Sequence, residues 1–262
     1  MITFLYSLII FFRPINIFLG IFSCFIVAHI LEYNNFDRYY TMCYVLISYM
    51  LAGNILNDLI DIKMDRINKP NRFLVQYHIK RIYICIAIIT LFSFGSIYAL
   101  KLPPLSQYLV LYIIFPSLIL YELILKRYPL FGNILISFLV GCVFIFSEAA
   151  FNEEINITWR LFILAFFLNL IREIVKDIED INGDQKQGLK TLPIYFGIIK
   201  TIYFVKFITL IFILISLSPY YINYFSSFYI PLIIVTIHMP LLYIIGNMRF
   251  EITSNECAKI SK

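Results

Sequence analysis

The stretch YTMCYVLISYMLAGNILNDLIDIKMD, from Tyr40 to Asp65, joins a long apolar run to a cluster of acids. The run is long enough for a helix that crosses a bilayer, which needs about 20 residues. It ends in three aspartates spaced by three and then four residues: Asp58, Asp61 and Asp65. A second apolar run ends in the same spacing: Asp177, Asp180 and Asp184. These two triplets, with the apolar runs before them, decide the interpretation of the chain.

The rest of the sequence is also rich in apolar residues. Of its 262 residues 61% are hydrophobic and 14% charged, with a mean hydropathy of +0.85. A soluble domain is closer to half apolar and a quarter charged. The sequence therefore predicts an all-α, polytopic transmembrane helix bundle, a single domain over 1–262 without a cleaved signal peptide. About eight spans are expected, at 14–32, 40–60, 81–100, 105–125, 131–151, 159–177, 193–217 and 226–247.

Lysines and arginines alternate between the two sets of loops. One set carries most of them, whereas the other has little more than Arg38, Lys101 and Arg160. Because cytoplasmic loops are enriched in Lys and Arg, both Asp triplets should be cytoplasmic, in a multi-pass protein of the plasma (inner) membrane. The net charge of +5 lies in these loops, so it indicates topology and not binding of nucleic acid. Glu148, in the fifth span, is interpreted as an interfacial residue.

Each triplet forms a stripe on one helix face, since offsets of three and seven residues fall within about 60° of each other. Six clustered carboxylates require cations, and oxygen ligands suit Mg²⁺, Mn²⁺ or Ca²⁺ better than zinc or copper. Mg²⁺ commonly bridges one or two carboxylates to substrate phosphates. The stripes are thus interpreted as a diphosphate clamp, and the alternative is that they are solvated acidic helix ends. Nearby cations could bind diphosphate or serve topology alone: Lys69, Arg72, Lys126 and Arg127.

Four ordered motifs resemble the UbiA-type intramembrane prenyltransferases over nearly the whole chain. They are RPIN from Arg13, NDLIDIKMD followed by RINKPNR from Asn57, YELILKRYPLFGN from Tyr121, and REIVKDIEDINGDQKQGLKTLP from Arg172. The two motifs that contain aspartates, which begin at Asn57 and Arg172, are most similar to those of the branch that transfers geranylgeranyl to geranylgeranylglyceryl phosphate, forming an ether lipid precursor. Departures are Phe73 after Arg72, the turn at 76–79, and residues 255–262 where the family's ninth span would begin.

The resemblance implies a Mg²⁺-dependent prenyltransferase that uses a prenyl diphosphate and two ions. It implies metal ligands at Asn57, Asp58, Asp61, Asp65, Asp177, Asp180 and Asp184, with Asp58 a ligand or a support for one. The last three are also the implied catalytic residues, and Asp177 is a candidate to receive the acceptor's proton. The implied diphosphate contacts are Lys69, Arg72, Lys126 and Arg127. The implied acceptor is a lipid phosphate or an aromatic ring.

Two other classes of membrane protein remain as alternatives. A cation-coupled transporter should place its acids at mid-membrane in broken helices, whereas these end spans at one face. A CDP-alcohol phosphotransferase should carry DG and AR pairs in its single Asp motif, and the sequence lacks them.

Overall fold

The computed structural model describes residues 2–68, 70–186, 188–221 and 226–247. Within these ranges the chain is helical and has no strand, which confirms the predicted fold class. The α-helices, in order, are α1 Ile2–Phe11, α2 Pro14–Ile30, α3 Phe36–Ile60, α4 Ile62–Asn68, α5 Phe73–Gln76, α6 Arg81–Ala99, α7 Pro104–Tyr108, α8 Phe115–Leu123, α9 Phe131–Asn152, α10 Thr158–Glu179, α11 Ile181–Lys186, α12 Leu192–Phe196, α13 Ile198–Tyr221, α14 Tyr229–Ile233 and α15 Met239–Asn247. Residues 255–262, where a ninth span was considered, lie outside the described ranges.

Two π-helical segments extend these helices. Leu109–Ile114 connects α7 to α8, and Ile234–His238 connects α14 to α15. A proline follows each segment within two residues, at Pro116 and Pro240. Proline has no N–H to donate to the preceding turn, and a π-bulge is one way a helix absorbs the missing bond. Pro116 and Pro240 each lie in the first turn of the helix that follows the segment, α8 or α15.

Six described helices are long and apolar enough to cross a membrane: Phe36–Ile60, Arg81–Ala99, Pro104–Leu123, Phe131–Asn152, Ile198–Tyr221 and Tyr229–Gly246. They match six of the eight predicted spans. The other two coincide with α2, which is apolar but shorter, and with α10, whose end is charged. The number of spans therefore stays a prediction. The helix that matches the predicted span at 193–217 is α13, which begins only at Ile198, because Gly197, with φ 88°, ends the short helix α12 before it.

The chain divides into two compact units, each drawn from separate segments. The first holds the described residues up to Ile124 together with Cys142–Phe162. The second holds Leu125–Gly141 together with the described residues from Ile163 onward. The single domain expected over 1–262 stays a prediction.

The core of the first unit lies where α3 packs along α6. Tyr49 of α3 packs edge-on against the rings of Phe92 and Phe115, and its hydroxyl is 2.9 Å from Ser96 Oγ. Gly95 makes this approach possible, since a Cβ there would lie 2.7 Å from the Tyr49 ring. The close packing fixes α3, the helix that ends in the first triplet.

A buried carboxylate holds the connection between α9 and α10. Glu148 is 2% exposed and accepts hydrogen bonds from the backbone N–H groups of Asn156, Ile157 and Thr158. It also accepts from Thr158 Oγ at 2.6 Å. Unpaired N–H groups at a helix start carry partial positive charge, so a carboxylate there is stabilising. Glu148 is therefore a cap for α10, and its placement at the membrane interface stays a prediction.

The core of the second unit is built from α10 and α13. Ile174 of α10 and Val205 of α13 have no exposed surface. Buried α10 residues recur at helical spacing: Leu170, Ile171, Ile174, Val175 and Ile178. The opposite side of α13 exposes Tyr203, Phe207, Leu210 and Leu214. An apolar face of this kind suits lipid as its solvent.

The order of elements around the first triplet recurs around the second. A long helix, α3 or α10, is followed by a short helix, α4 or α11. A loop, a second short helix (α5 or α12) and another long helix (α6 or α13) come next in both.

Candidate functional site: two acidic helix ends

Both triplets lie across a helix break, and the break falls at the middle aspartate. Asp61 separates α3 from α4, and Asp180 separates α10 from α11. Hydrogen bonds between residues four apart nevertheless continue through both breaks. Asp61 N donates to Asn57 O at 3.0 Å and Asp65 N to Asp61 O at 2.8 Å, and Asp184 N donates to Asp180 O at 3.0 Å. The stripes predicted on continuous helices are thus retained across a local turn.

Asp58 anchors two arginines. Its carboxylate is 5% exposed, and Oδ1 lies 2.5 Å from both Arg13 Nη2 and Arg72 Nη1. Arg72 Nη1 is also 3.2 Å from Oδ2 of Asp65, which is 7% exposed. A buried carboxylate normally requires such partners. Because Oδ1 of Asp58 already accepts from two guanidinium groups, support of its neighbours fits this residue better than direct ligation of a metal.

Arg13 reaches the end of α3 from the turn between α1 and α2. Its backbone is left-handed, with φ 50°, and Pro14 opens α2 directly after it. Besides Asp58, its guanidinium donates to Asn54 Oδ1 at 3.3 Å and to Asn57 Oδ1 at 3.1 Å. Asn54 Nδ2 is buried and has no hydrogen-bond partner among the described residues. An unpaired buried donor of this kind is costly unless a bound group accepts from it.

Glu122 enters this network from α8. It is 6% exposed, and its two carboxylate oxygens accept from Asn57 Nδ2 at 3.1 and 3.2 Å. In the sequence, Glu122 stands out only as part of the motif that begins at Tyr121. The signal that could have found it is a lone acid at the end of an apolar run, since ionisable residues at membrane depth are usually functional.

The second triplet is tied to the start of α9. Asn133 Nδ2 donates to Asp177 Oδ2 at 2.9 Å, and one turn further along α9, Ser137 Oγ accepts from Asn169 Nδ2 at 3.2 Å. Glu173, one turn before Asp177, pairs with Arg172 at 2.6 Å. These contacts join α9 and α10 through polar groups, and they fix the Asp177 side chain.

The other predicted site residues differ in how much of their side chains is exposed to solvent. Asp61, Asp180 and Asp184 are partly exposed. Lys126 is half-buried and Arg127 exposed in the 3₁₀ turn Leu125–Arg127. Lys69 lies outside the described residues. Phe73, where the sequence departs from the resembled family, is buried and packs its ring 5.0 Å from that of Phe11.

The donor set at both helix ends consists of oxygens. In the described part of the chain, no three His, Cys, Asp or Glu side chains converge as a complete metal site. Mg²⁺ does not require one, since it usually takes one or two carboxylates and completes its shell with water and substrate phosphate. Partly exposed carboxylates at Asp61 and Asp180 fit that pattern, and the residues present therefore fit Mg²⁺.

Comparison of the sequence with known proteins gives one consistent family. The model of the UbiA prenyltransferase family matches residues 18–259. The digeranylgeranylglyceryl phosphate synthase of Methanococcus vannielii is 37% identical over 185 residues, which is 70% of this chain and 64% of that protein. The enzyme of the same name from Methanosphaera stadtmanae is 31% identical over 227 residues, 85% of this chain and 81% of that protein. The match thus covers less than two thirds of the first relative and most of the second.

Solved structures agree with the fold. One, described as a digeranylgeranylglyceryl phosphate synthase in membranes, has a TM-score of 0.79 and 29% identity, covering 99% of this chain and 91% of that one. A UbiA homologue from Archaeoglobus fulgidus bound to DMAPP and Mg²⁺ has a TM-score of 0.73 and 17% identity, covering 95% and 93%. At that identity the second likeness concerns the fold alone.

Proposed function

The chain belongs to the UbiA prenyltransferase family, and from that membership we propose that it transfers a geranylgeranyl group from geranylgeranyl diphosphate to geranylgeranylglyceryl phosphate. The product is an ether lipid precursor carrying two such chains. The observation that carries the proposal is the pair of acidic helix ends, each broken at its middle aspartate, in a chain whose relatives are named for this product.

The transfer has a simple balance of bonds. The allylic C–O bond of the donor breaks and diphosphate leaves with the bonding electrons. The acceptor hydroxyl oxygen forms the new C–O bond and loses its proton. Asp177, held by Asn133, is the proposed proton acceptor, as a carboxylate within reach of the hydroxyl could serve as general base. Burial among apolar helices excludes water that would otherwise capture the allylic carbon.

The acidic residues are the proposed ligands for Mg²⁺. Asn57, Asp61 and Asp65 would hold one ion, and Asp177, Asp180 and Asp184 a second. Mg²⁺, when bound, neutralises the charge that develops on the leaving diphosphate. All of these side chains offer oxygen ligands, which Mg²⁺ prefers, and this supports the assignment.

Cations near the triplets are the proposed contacts for diphosphate oxygens. Arg72 is held beside the acids by Asp58 and Asp65, so its guanidinium needs no reorganisation when the anion arrives. Lys126 and Lys69 are the other proposed contacts, and Arg127, being exposed, is the weakest.

The chain is a multi-pass membrane protein, as its apolar helices and family membership indicate. We propose that it lies in the plasma membrane with both triplets on the cytoplasmic side. The alternation of Lys and Arg between loops supports this orientation.

Product analysis of the purified, membrane-reconstituted chain tests the proposal. It would be incubated with Mg²⁺ and geranylgeranyl diphosphate, and with geranylgeranylglyceryl phosphate or 4-hydroxybenzoate as acceptor. Mass spectrometry should find the doubly prenylated ether and released diphosphate with the lipid phosphate only. Transfer to the aromatic ring alone would overturn the proposed acceptor, and no transfer to either would overturn the proposed reaction.

A further inference from the structure

We propose that Glu122 is a positioning residue, which fixes the direction in which the amide of Asn57 faces. The inference rests on the proposed function, because it concerns the use of Asn57 as a metal ligand. Glu122 itself is assigned no contact with substrate or metal.

Hydrogen bonds at both ends of the Asn57 amide favour the same orientation of that amide. Its Nδ2 lies 3.1 and 3.2 Å from the two carboxylate oxygens of Glu122, and its Oδ1 lies 3.1 Å from Arg13 Nη2. An ionised carboxylate accepts only, and a guanidinium donates only. Rotating the amide by 180° would set oxygen against two carboxylate oxygens and nitrogen against the guanidinium, so both ends oppose the flip.

A fixed direction matters because an asparagine amide has two unlike ends of similar size. A metal ion takes the oxygen, whereas the NH₂ group repels it. The carbonyl oxygen has two lone pairs, so accepting from Arg13 leaves capacity for a cation. Glu122 binds the end that a metal cannot use and thereby presents the end that it can.

The placement of Glu122 makes it effective. Its carboxylate is 6% exposed on α8, so water competes weakly for its hydrogen bonds. It acts across two helices that pack together in the first unit, α3 and α8, and therefore also ties the acidic end of α3 to its neighbour.

A double-mutant cycle tests this role through the polarity of one hydrogen bond. Asn57→Asp sets two carboxylates face to face, and Glu122→Gln removes the fixed acceptor. The double variant N57D/E122Q restores a complementary pair. The amide introduced on α8 can then donate to the carboxylate introduced on α3, while an oxygen still faces the acidic stripe. Glu32→Gln, at an exposed loop position, is the matched control.

Binding of Mn²⁺ to the full chain in nanodiscs, with inorganic pyrophosphate present, would be followed by electron paramagnetic resonance. We expect Asn57→Asp to weaken Mn²⁺ binding at least tenfold, Glu122→Gln to weaken it by about twofold to fivefold, and the double variant to return within threefold of the wild type. The same rescue should appear in the thermal midpoint measured without metal, which reports the hydrogen bond even if a single variant folds poorly.

The outcomes separate this inference from the proposed function. Additive losses in the double variant, with normal Mn²⁺ binding by the wild type, would overturn the positioning role and leave the proposed function intact. Absence of Mn²⁺ binding by the wild type would overturn both.

Discussion

Replacing Glu148 with glutamine tests how α10 is held at its start. The glutamine oxygen can take the place of Oε2, which accepts from Asn156 N at 3.0 Å, Thr158 N at 2.9 Å and Thr158 Oγ at 2.6 Å. The amide NH₂ then replaces Oε1 and faces Ile157 N, which donates to Oε1 at 3.1 Å and to Oε2 at 3.2 Å. The variant keeps the shape of the side chain, loses its charge and opposes one donor with another.

The magnitude follows from these contacts. Hydrogen bonds to a charged acceptor contribute about 1.5–3 kcal/mol and neutral ones about 0.5–1.5 kcal/mol, so each donor loses about 1 kcal/mol. Over the three backbone donors the free energy of unfolding should fall by about 3 kcal/mol. For a chain of this size that corresponds to a thermal midpoint roughly 6 to 12 °C lower.

The assay is the thermal midpoint of the purified variant in detergent, followed by circular dichroism. Glu154→Gln, exposed in the same connection, is the control and should change the free energy by no more than about 0.5 kcal/mol. Prenyl transfer measured well below the midpoint should be unchanged, since the second triplet lies at the far end of α10. A midpoint within about 2 °C of wild type would refute the capping role of Glu148.

Two further predictions concern the acids and the arginines. Asp61→Asn and Asp177→Asn should each lower prenyl transfer at least a thousandfold while the protein remains inserted and folded, and the exposed Asp37→Asn should have no effect. Excess EDTA should abolish prenyl transfer by the wild type to the same extent, and full activity in EDTA would contradict the metal assignment. Arg72→Ala should lower kcat/KM for the prenyl diphosphate ten- to hundredfold, which corresponds to about 1.4–2.7 kcal/mol. Arg127→Ala should lower kcat/KM less than threefold. Equal effects of the two substitutions would show that the contact of Arg72 with Asp58 and Asp65 does not contribute to binding of the diphosphate.

Hydropathy predicted the helices well because the bilayer imposes one length and one composition on every span. It failed at boundaries that depend on a single backbone angle. The span expected from residue 193 begins after Gly197, whose φ of 88° separates α12 from α13. The breaks at Asp61 and Asp180 also could not be predicted, since aspartate does not by itself end a helix and the hydrogen bonds continue across them.

The aspartates of the candidate site were evident from spacing, but their partners were not. Glu122 is 65 residues from Asn57, and nothing local indicates that the two side chains meet. Glu148 binds backbone N–H groups, which no sequence pattern displays. The role of Asp58 depends on two arginines on opposite sides of it in the sequence, and only the fold brings all three together.

The repeated order of helices is of a kind that gene duplication can produce. A long helix, a break at an aspartate, two short helices and another long helix occur in α3–α6 and again in α10–α13. Such a pattern is what duplication and fusion of a shorter gene leaves in a protein. The two acidic ends differ in the side chains around them: the first has arginines beside its aspartates, and the second has an asparagine from a neighbouring helix. Descent from a single ancestral motif would explain why the aspartates of the two acidic ends share their spacing but contact different side chains.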